Sequence, residues 1–354
     1  MLLLVAAAAL DASAQKASEL AYHDASELMI INKGFDNTES LYSRLPSDLK
    51  DVTREAVWDL GMNSAGLAVR FSTDSKCIGA QWELLNNLSM AHMAGTGIRG
   101  IDLYVLDEKD NWHFVGTAQP NGKESRNVFI RNMDGKMRDF MAYLPLYDGV
   151  VKLEIGIDST ATIGMPRRDV LVKGSSKPIV FYGTSITQGG CASRPGMVYT
   201  SIISRRLQRE CINLGFSGNA RMDKSMVEAI NRIDASEFVI DCLPNCTIKT
   251  LRDSAYYFMT TLCKAHPDVP VYMVENAYYA YGYLDTKTAS DFVEKNAWWK
   301  DLYRKLRKEG YRNLRYISCD KIEDAGREGT VDGTHRTDLG FEAMAKGFLK
   351  FIKK

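Results

Sequence analysis

The chain has 354 residues, more than the roughly 100–200 of one typical domain, so two domains, each with a core of its own, are expected. Hydrophobic residues at 45% and charged residues at 25% sit at the averages for soluble globular proteins and exclude disorder, collagen and a multi-span membrane protein. Forty-five Lys and Arg against 44 Asp and Glu leave a formal net charge of +1, which supplies no pull toward nucleic acid or an anionic membrane.

Residues 1–14 are expected to lie outside the fold. Leu2 to Leu10 is an apolar run too short to span a bilayer but of the length of a signal h-region, and Ala12-Ser13-Ala14 supplies a small-x-small cleavage pattern before Gln15. A basic residue ahead of the run is missing, and a buried N-terminal helix is the other reading. Export to the periplasm or the exterior follows from the signal reading. No cysteine precedes Cys77, so no lipid anchor is expected beside the cleavage site.

Residues 15–157 are expected to form a β-sandwich domain. From about residue 55 the hydrophobic pattern has period two: Leu67, Val69 and Phe71 alternate with Ala68, Arg70 and Ser72, and Ile78, Ala80, Trp82 and Leu84 with Gly79, Gln81 and Glu83. Val151, Leu153, Ile155 and Ile157 repeat it. Turn signals at Glu108-Lys109-Asp110-Asn111, Asn121-Gly122 and Asp134-Gly135 punctuate these runs, as in antiparallel all-β domains. Residues 158–177, rich in Ser, Thr, Gly, Pro and Arg, read as a linker.

Residues 178–354 carry another pattern, in which short apolar runs (Ile179 to Tyr182, Ile212 to Leu214, Phe238 to Ile240, Val269 to Val274, Leu314 to Ile317) alternate with helical stretches. The stretches lie near 197–209, 223–233, 249–265 and 286–309, with a last one around Phe341, Met344, Ala345, Phe348 and Ile352. Alternating β and α with continuous apolar strands predicts a parallel sheet with helices on both faces. Ligands of such sheets bind beyond the carboxyl ends of the strands.

Residues able to do chemistry stand at those ends. The first strand runs into Gly183-Thr184-Ser185-Ile186-Thr187-Gln188-Gly189-Gly190, a turn that is expected to expose the Ser185 hydroxyl as a nucleophile. After the second comes Asn213-Leu214-Gly215-Phe216-Ser217-Gly218-Asn219, whose glycines allow backbone N–H groups to approach an oxyanion. The third leads to Asn245, a carboxamide donor, and Asp332-Gly333-Thr334-His335 precedes the last helix. Singly, each has an ordinary explanation as a strand-to-helix connection, a turn residue after proline or a chance Asp-x-x-His. Together, at the loops of one sheet, they supply nucleophile, base, orienting carboxylate and oxyanion donors.

These blocks resemble those of the SGNH (GDSL-like) hydrolases, over about residues 177–354. Gly100-Ile101-Asp102-Leu103-Tyr104 is similar to the GxDLY motif of a β-domain that precedes certain SGNH esterases of secreted bacterial proteins. The resemblance implies a flavodoxin-like parallel sheet and acyl transfer through an acyl-enzyme. Ser185 would then be the nucleophile, His335 the general base and Asp332 its orienting partner, with an oxyanion hole made by the Ser185 and Gly218 N–H groups and the Asn245 side chain. It implies no metal and no organic cofactor. Two positions depart from the family pattern: Thr184 replaces the Asp of GDS, and Leu243-Pro244-Asn245 replaces Gly-x-Asn-Asp.

A secreted esterase acting on short acyl, chiefly acetyl, esters of carbohydrate is the leading functional expectation. The substrate would be a small molecule or glycan ester, with no nucleic acid and no membrane insertion. A lipid or thioester acylhydrolase and a non-catalytic carbohydrate-binding protein are the alternatives. Tyr278, Tyr279, Tyr281 and Tyr283 follow the fourth strand, and either stack on sugars or pack the fold. The seven cysteines show no zinc spacing and no disulfide framework. Cys191, Cys242 and Cys246 are a possible source of one disulfide, or simply small buried side chains.

Overall fold

The computed structural model describes residues 17, 19–174, 176–322 and 328–352, so the expected signal segment lies outside the described residues. Among these residues the first half contributes ten strands: β1 (Ala21–Asp24), β2 (Met29–Ile31), β3 (Ala68–Thr73), β4 (Ile78–Leu84), β5 (Ile101–Leu106), β6 (Trp112–Ala118), β7 (Glu124–Ile130), β8 (Arg138–Tyr143), β9 (Val150–Ile157) and β10 (Ile163–Gly164). They build two antiparallel sheets, β1-β9-β4-β7 and β10-β3-β8-β5-β6, with β2 also paired to β3. The period-two residues meet between the sheets, where Val69, Phe71, Ile78, Ala80, Trp82, Leu103, Phe140, Leu153 and Ile155 share one buried cluster.

The other face of β3 is not a solvent face. Every residue of the strand is buried, because the stretch expected to be a linker is strapped across it. β10 pairs with β3, the Ser72 hydroxyl donates to the Met165 carbonyl at 2.8 Å, and Asp139 accepts from the N–H groups of Arg167 and Arg168, each at 2.8 Å. Arg70 lies beneath this strap, 5.0 Å from the Trp112 ring centroid and 3.6 Å from Asp139. A Ser/Thr/Gly/Pro/Arg composition is equally suited to a strap that is held at several points by hydrogen bonds.

The second half forms a five-stranded parallel sheet of β11 (Ile179–Gly183), β12 (Cys211–Gly215), β13 (Glu237–Asp241), β14 (Val271–Val274) and β15 (Leu314–Ile317), in the order β12-β11-β13-β14-β15. Both faces are apolar because both are covered. Val180, Tyr182, Leu214, Phe238 and Ile240 meet the helices Lys224–Ile230, Tyr256–Ala265 and Thr286–Lys308; Ile179, Phe181, Val239 and Val274 meet Tyr199–Leu207 and Asp338–Phe348. The chain leaves β11 in one direction for β12 and later crosses to β13 on the other side. That makes the carboxyl end of β11 the topological switch point.

Much of residues 32–63, counted above with the β-sandwich, packs on the parallel sheet, while Tyr42 stays in the sandwich cluster. Phe35, Leu45, Leu49, Val57 and Trp58 join the core of the parallel sheet, and Glu55–Gly61 is a helix where period two was expected. Two arginines fasten the segment. Arg54 forms a bidentate pair with Asp223 at 2.8 and 2.9 Å. Arg44 is buried and donates to the carbonyls of Leu60, Asn63, Asn213 and Gly215 at 2.6–2.9 Å; burial pulls its pKa down to about 9, which leaves it charged at neutral pH.

The Asp102 carboxylate of the Gly100–Tyr104 motif faces the second half of the chain. It is fully buried and accepts from Arg194 and from the Gly196 N–H, both at 2.8 Å, and from Thr117 at 2.9 Å. Arg194 also donates to the Tyr104 hydroxyl at 2.6 Å. Asp102→Ala is expected to cost about 3 kcal/mol, because it leaves a largely buried guanidinium without its counter-charge. Chemical denaturation of the two proteins measures this, and an unchanged midpoint would contradict it.

Candidate active site

Ser185 opens a single helical turn, Ser185–Gln188, directly after β11. The Thr184 hydroxyl caps that turn by accepting from the Ile186 N–H at 3.2 Å, a task an aspartate at the same position would also perform. The turn lies directly on β12. A Cβ at Gly215 would stand 2.1 Å from the Gln188 nitrogen, so only glycine permits the approach.

The expected exposure of Ser185 is not found: the residue is only 7% exposed. Part of the cover comes from the first half of the chain. The Tyr147 hydroxyl donates to the Ser185 carbonyl at 3.2 Å, and Gln188, itself buried, donates to the Leu146 carbonyl at 3.1 Å while accepting from the Ser217 N–H at 2.9 Å. Nothing in the local pattern marks Gln188 or Tyr147 for these roles.

His335 Nε2 lies 2.9 Å from Ser185 Oγ, and His335 Nδ1 lies 2.7 Å from Asp332 Oδ2. The other Asp332 oxygen accepts from the N–H groups of Thr334 and His335 at 2.9 and 2.8 Å. This Asx-type turn fixes the carboxylate relative to the ring three residues on. With Nδ1–H facing the carboxylate, Nε2 is the nitrogen that accepts from the serine hydroxyl. Burial alone would raise the Asp332 pKa, but the hydrogen bonds from the His335 ring and from the two N–H groups outweigh it and hold the value down at about 2.

A carboxylate depressed in this way stabilises the fold above its unfolded pKa of about 3.9 and loses that contribution as pH falls through the folded value. The melting-temperature difference between wild type and Asp332→Asn should therefore shrink between about pH 4 and pH 2. A difference constant across that interval would show that the hydrogen bonds do not hold the carboxylate down.

Gly218 follows β12 and Asn245 follows β13, so the two flank Ser185 on neighbouring strand ends. Gly218 has φ +69° with open space where a Cβ would be, and it turns the backbone of the exposed loop. Ser185, as the first residue of its turn, has an N–H without an intrahelical acceptor. Asn245 Oδ1 accepts from the Ala220 N–H at 3.3 Å, which occupies its carbonyl end and leaves its NH₂ end for another acceptor. The change from Gly-x-Asn-Asp to Leu243-Pro244-Asn245 is thus accommodated in a 3₁₀ turn, Leu243–Asn245.

The tyrosine segment buttresses this site. The Ala280 N–H donates to the Gly333 carbonyl at 2.8 Å, and the Tyr281 hydroxyl lies 3.1 Å from Thr334 Oγ1. Tyr279 and Tyr281 stack with centroids 5.7 Å apart, while Tyr283 is 69% exposed. Tyr279 and Tyr281 thus make packing contacts, although Tyr281 remains 46% exposed, and the Tyr283 ring faces solvent. Cys191, Cys242 and Cys246 are buried thiols rather than disulfide partners. Burial pushes the Cys191 thiol up to about 12, so it stays protonated at neutral pH.

A doubly covered parallel sheet with a serine, histidine and carboxylate linked at the end of its first strand is the arrangement of a serine acylhydrolase. The GDSL-like lipase/acylhydrolase family matches residues 176–353, and the GxDLY family, the N-terminus of SGNH-hydrolase-type esterases, matches residues 20–163. The chain belongs to the GDSL-like lipase/acylhydrolase family and is an esterase or acylhydrolase. It is 34% identical to a GDSL-like lipase of known structure from Bacteroides ovatus, with a TM-score of 0.88 over 94% of this chain and 96% of that one.

Two further structures share the fold at low identity. The salicylyl-acyltransferase SsfX3 from a tetracycline biosynthetic pathway has a TM-score of 0.71 at 13% identity, covering 94% of this chain and 96% of its own. A family two carbohydrate esterase from Cellvibrio japonicus has 0.55 at 12%, covering 80% and 87%. Among curated proteins none matches the chain. No helix among the described residues is long and apolar enough to cross a membrane.

Proposed function

We propose that the protein hydrolyses short-chain acyl esters, chiefly acetyl esters of carbohydrate, through an acyl-enzyme on Ser185. The observation that carries the mechanism is the hydrogen-bond chain from Ser185 Oγ through His335 to Asp332, at 2.9 and 2.7 Å. His335 Nε2 takes the hydroxyl proton as Ser185 Oγ bonds to the ester carbonyl carbon, and Asp332 stabilises the imidazolium that forms. The bond between the acyl carbon and the sugar oxygen breaks, and the sugar leaves with that oxygen and the proton from His335. Water then gives a proton to Nε2 and attacks the acyl carbon, which releases the acid and restores Ser185.

The oxyanion of both tetrahedral intermediates is met by the Ser185 and Gly218 N–H groups and by the Asn245 NH₂. Asn245→Ala is expected to lower kcat by about 100- to 1,000-fold, about 3 kcal/mol, with little change in KM, because the contact is made chiefly in the transition state. Steady-state kinetics on p-nitrophenyl acetate decides it. An intact kcat with a lowered melting temperature would make Asn245 a turn residue only.

The exposed Tyr283 ring, two residues beyond the stacked Tyr279 and Tyr281, supports a sugar as the alcohol part of the ester, since aromatic faces accept the apolar faces of sugar rings. The carbohydrate-esterase fold neighbour agrees with that choice. Export through residues 1–14 belongs to the same proposal. Rates on p-nitrophenyl esters of rising chain length, together with acetate release from an acetylated polysaccharide, test it. A rate that climbs with chain length, and no acetate from the glycan, would favour a lipid acylhydrolase.

A further inference from the structure

We propose that a soft divalent cation, zinc in the first instance, binds across His92, Cys191 and His335 and thereby switches the esterase off. The three residues come from distant parts of the chain: His92 from the connection between β4 and β5, Cys191 from just beyond the nucleophile's turn, and His335 from the turn before the last helix. One donor atom of each lies within 4.8 Å of the other two. Some point then lies within about 2.8 Å of all three atoms, against zinc bonds of about 2.0–2.1 Å to nitrogen and 2.3 Å to sulfur. Closure therefore needs each ligand to move inward by less than about 1 Å.

The surroundings suit that closure. His92 is exposed, and its ring stands 5.6 Å from that of His335, centroid to centroid, so it is free to swing inward. Cys191 is the fixed member, buried and held at φ +72°, a backbone conformation that non-glycine residues seldom adopt. The preceding Gly189 and Gly190 N–H groups both donate to the Ser185 carbonyl, at 3.0 and 2.7 Å, which ties the cysteine to the nucleophile's own turn. His335 is already presented as zinc-binding histidines are, with one ring nitrogen hydrogen-bonded to a carboxylate and the other facing inward.

Two imidazoles and a thiolate select zinc-like cations over magnesium or calcium. The Cys191 thiol, protonated in the metal-free protein, loses its proton to solvent only as the cation binds, and a water completes four-coordination. Since Nδ1 is engaged by Asp332, the coordinating atom of His335 is Nε2, the one that receives the proton of Ser185. Metal binding and catalysis are then mutually exclusive. This inhibition rests on the proposal that His335 is the general base, whereas the binding does not.

The test uses the full chain stripped with a chelator. p-Nitrophenyl acetate hydrolysis is followed against buffered free zinc for wild type, His92→Ala and Cys191→Ser, each referred to its own metal-free rate. Cobalt(II) titration reads the site independently, through a near-ultraviolet thiolate-to-cobalt band. The expected result is inhibition of wild type at micromolar zinc, reversed by chelator and absent with millimolar magnesium or calcium. The zinc concentration needed should rise at least tenfold in both variants, and wild type should show a one-to-one cobalt band that Cys191→Ser lacks. His92→Ala, altered at an exposed position, keeps the test decisive if the cysteine variant fails to fold. Equal inhibition of wild type and His92→Ala, or no cobalt–thiolate band in wild type, would overturn the proposal. A one-to-one band with undiminished hydrolysis would overturn the inhibition and the role of His335 as base, while leaving the metal site standing.

Discussion

Ser185→Ala should remove ester hydrolysis almost completely, with kcat lower by about 10⁵- to 10⁶-fold, the scale of loss when the nucleophile of a serine triad is deleted. The remaining rate should be that of oxyanion stabilisation and substrate positioning alone. Folding should be nearly unaffected although the residue is mostly buried. Its hydroxyl contributes one side-chain hydrogen bond, to His335 Nε2, of which the net value is about 1 kcal/mol. The turn itself is held by its backbone, by Gln188 and by Tyr147. Kinetics on p-nitrophenyl acetate beside a melting curve separates the two effects, and activity within a few-fold of wild type would remove Ser185 from the mechanism.

His335→Ala should cost about as much as Ser185→Ala, and the double variant hardly more than either, because the pair acts as one unit. A hydroxyl without its base stays protonated, and an imidazole without its hydroxyl has nothing to activate. Asp332→Asn should leave measurably more activity, since the ring stays near Ser185 while its tautomer and imidazolium lose their support. The order of rates is therefore the diagnostic. Losses that multiply in the double variant, or an Asp332→Asn effect larger than that of His335→Ala, would separate the three residues into independent roles.

The parts of the molecule legible in the sequence are those in which local chemistry determines structure. The five strands of the parallel sheet are apolar on both faces because helices cover both, and continuous runs such as Ile179–Tyr182 announce them. Ser185, Asp332 and His335 stand on turns whose glycines and Asx geometry are local as well. What escaped was set by contacts between distant segments. The turn that carries Ser185 is held against Leu146 and Tyr147, and the helix Glu55–Gly61 is held by the core it joins, through Val57 and Trp58. Composition reads 158–177 as a linker because a strap and a linker draw on the same residues, and contacts with distant residues, the pairing of β10 with β3 and the bonds to Ser72 and Asp139, distinguish them.

The central claim is that the Ser185 oxygen carries the acyl group. A p-nitrophenyl phosphonate ester, which phosphonylates an activated serine and cannot then be hydrolysed, reports this directly when the labelled chain is weighed and its peptides are mapped. One phosphonyl group per chain, located on the peptide containing Ser185, with hydrolysis lost in proportion and no labelling of Ser185→Ala, is the predicted result. Labelling elsewhere, or full hydrolytic activity in a chain that takes up no label, would contradict the account.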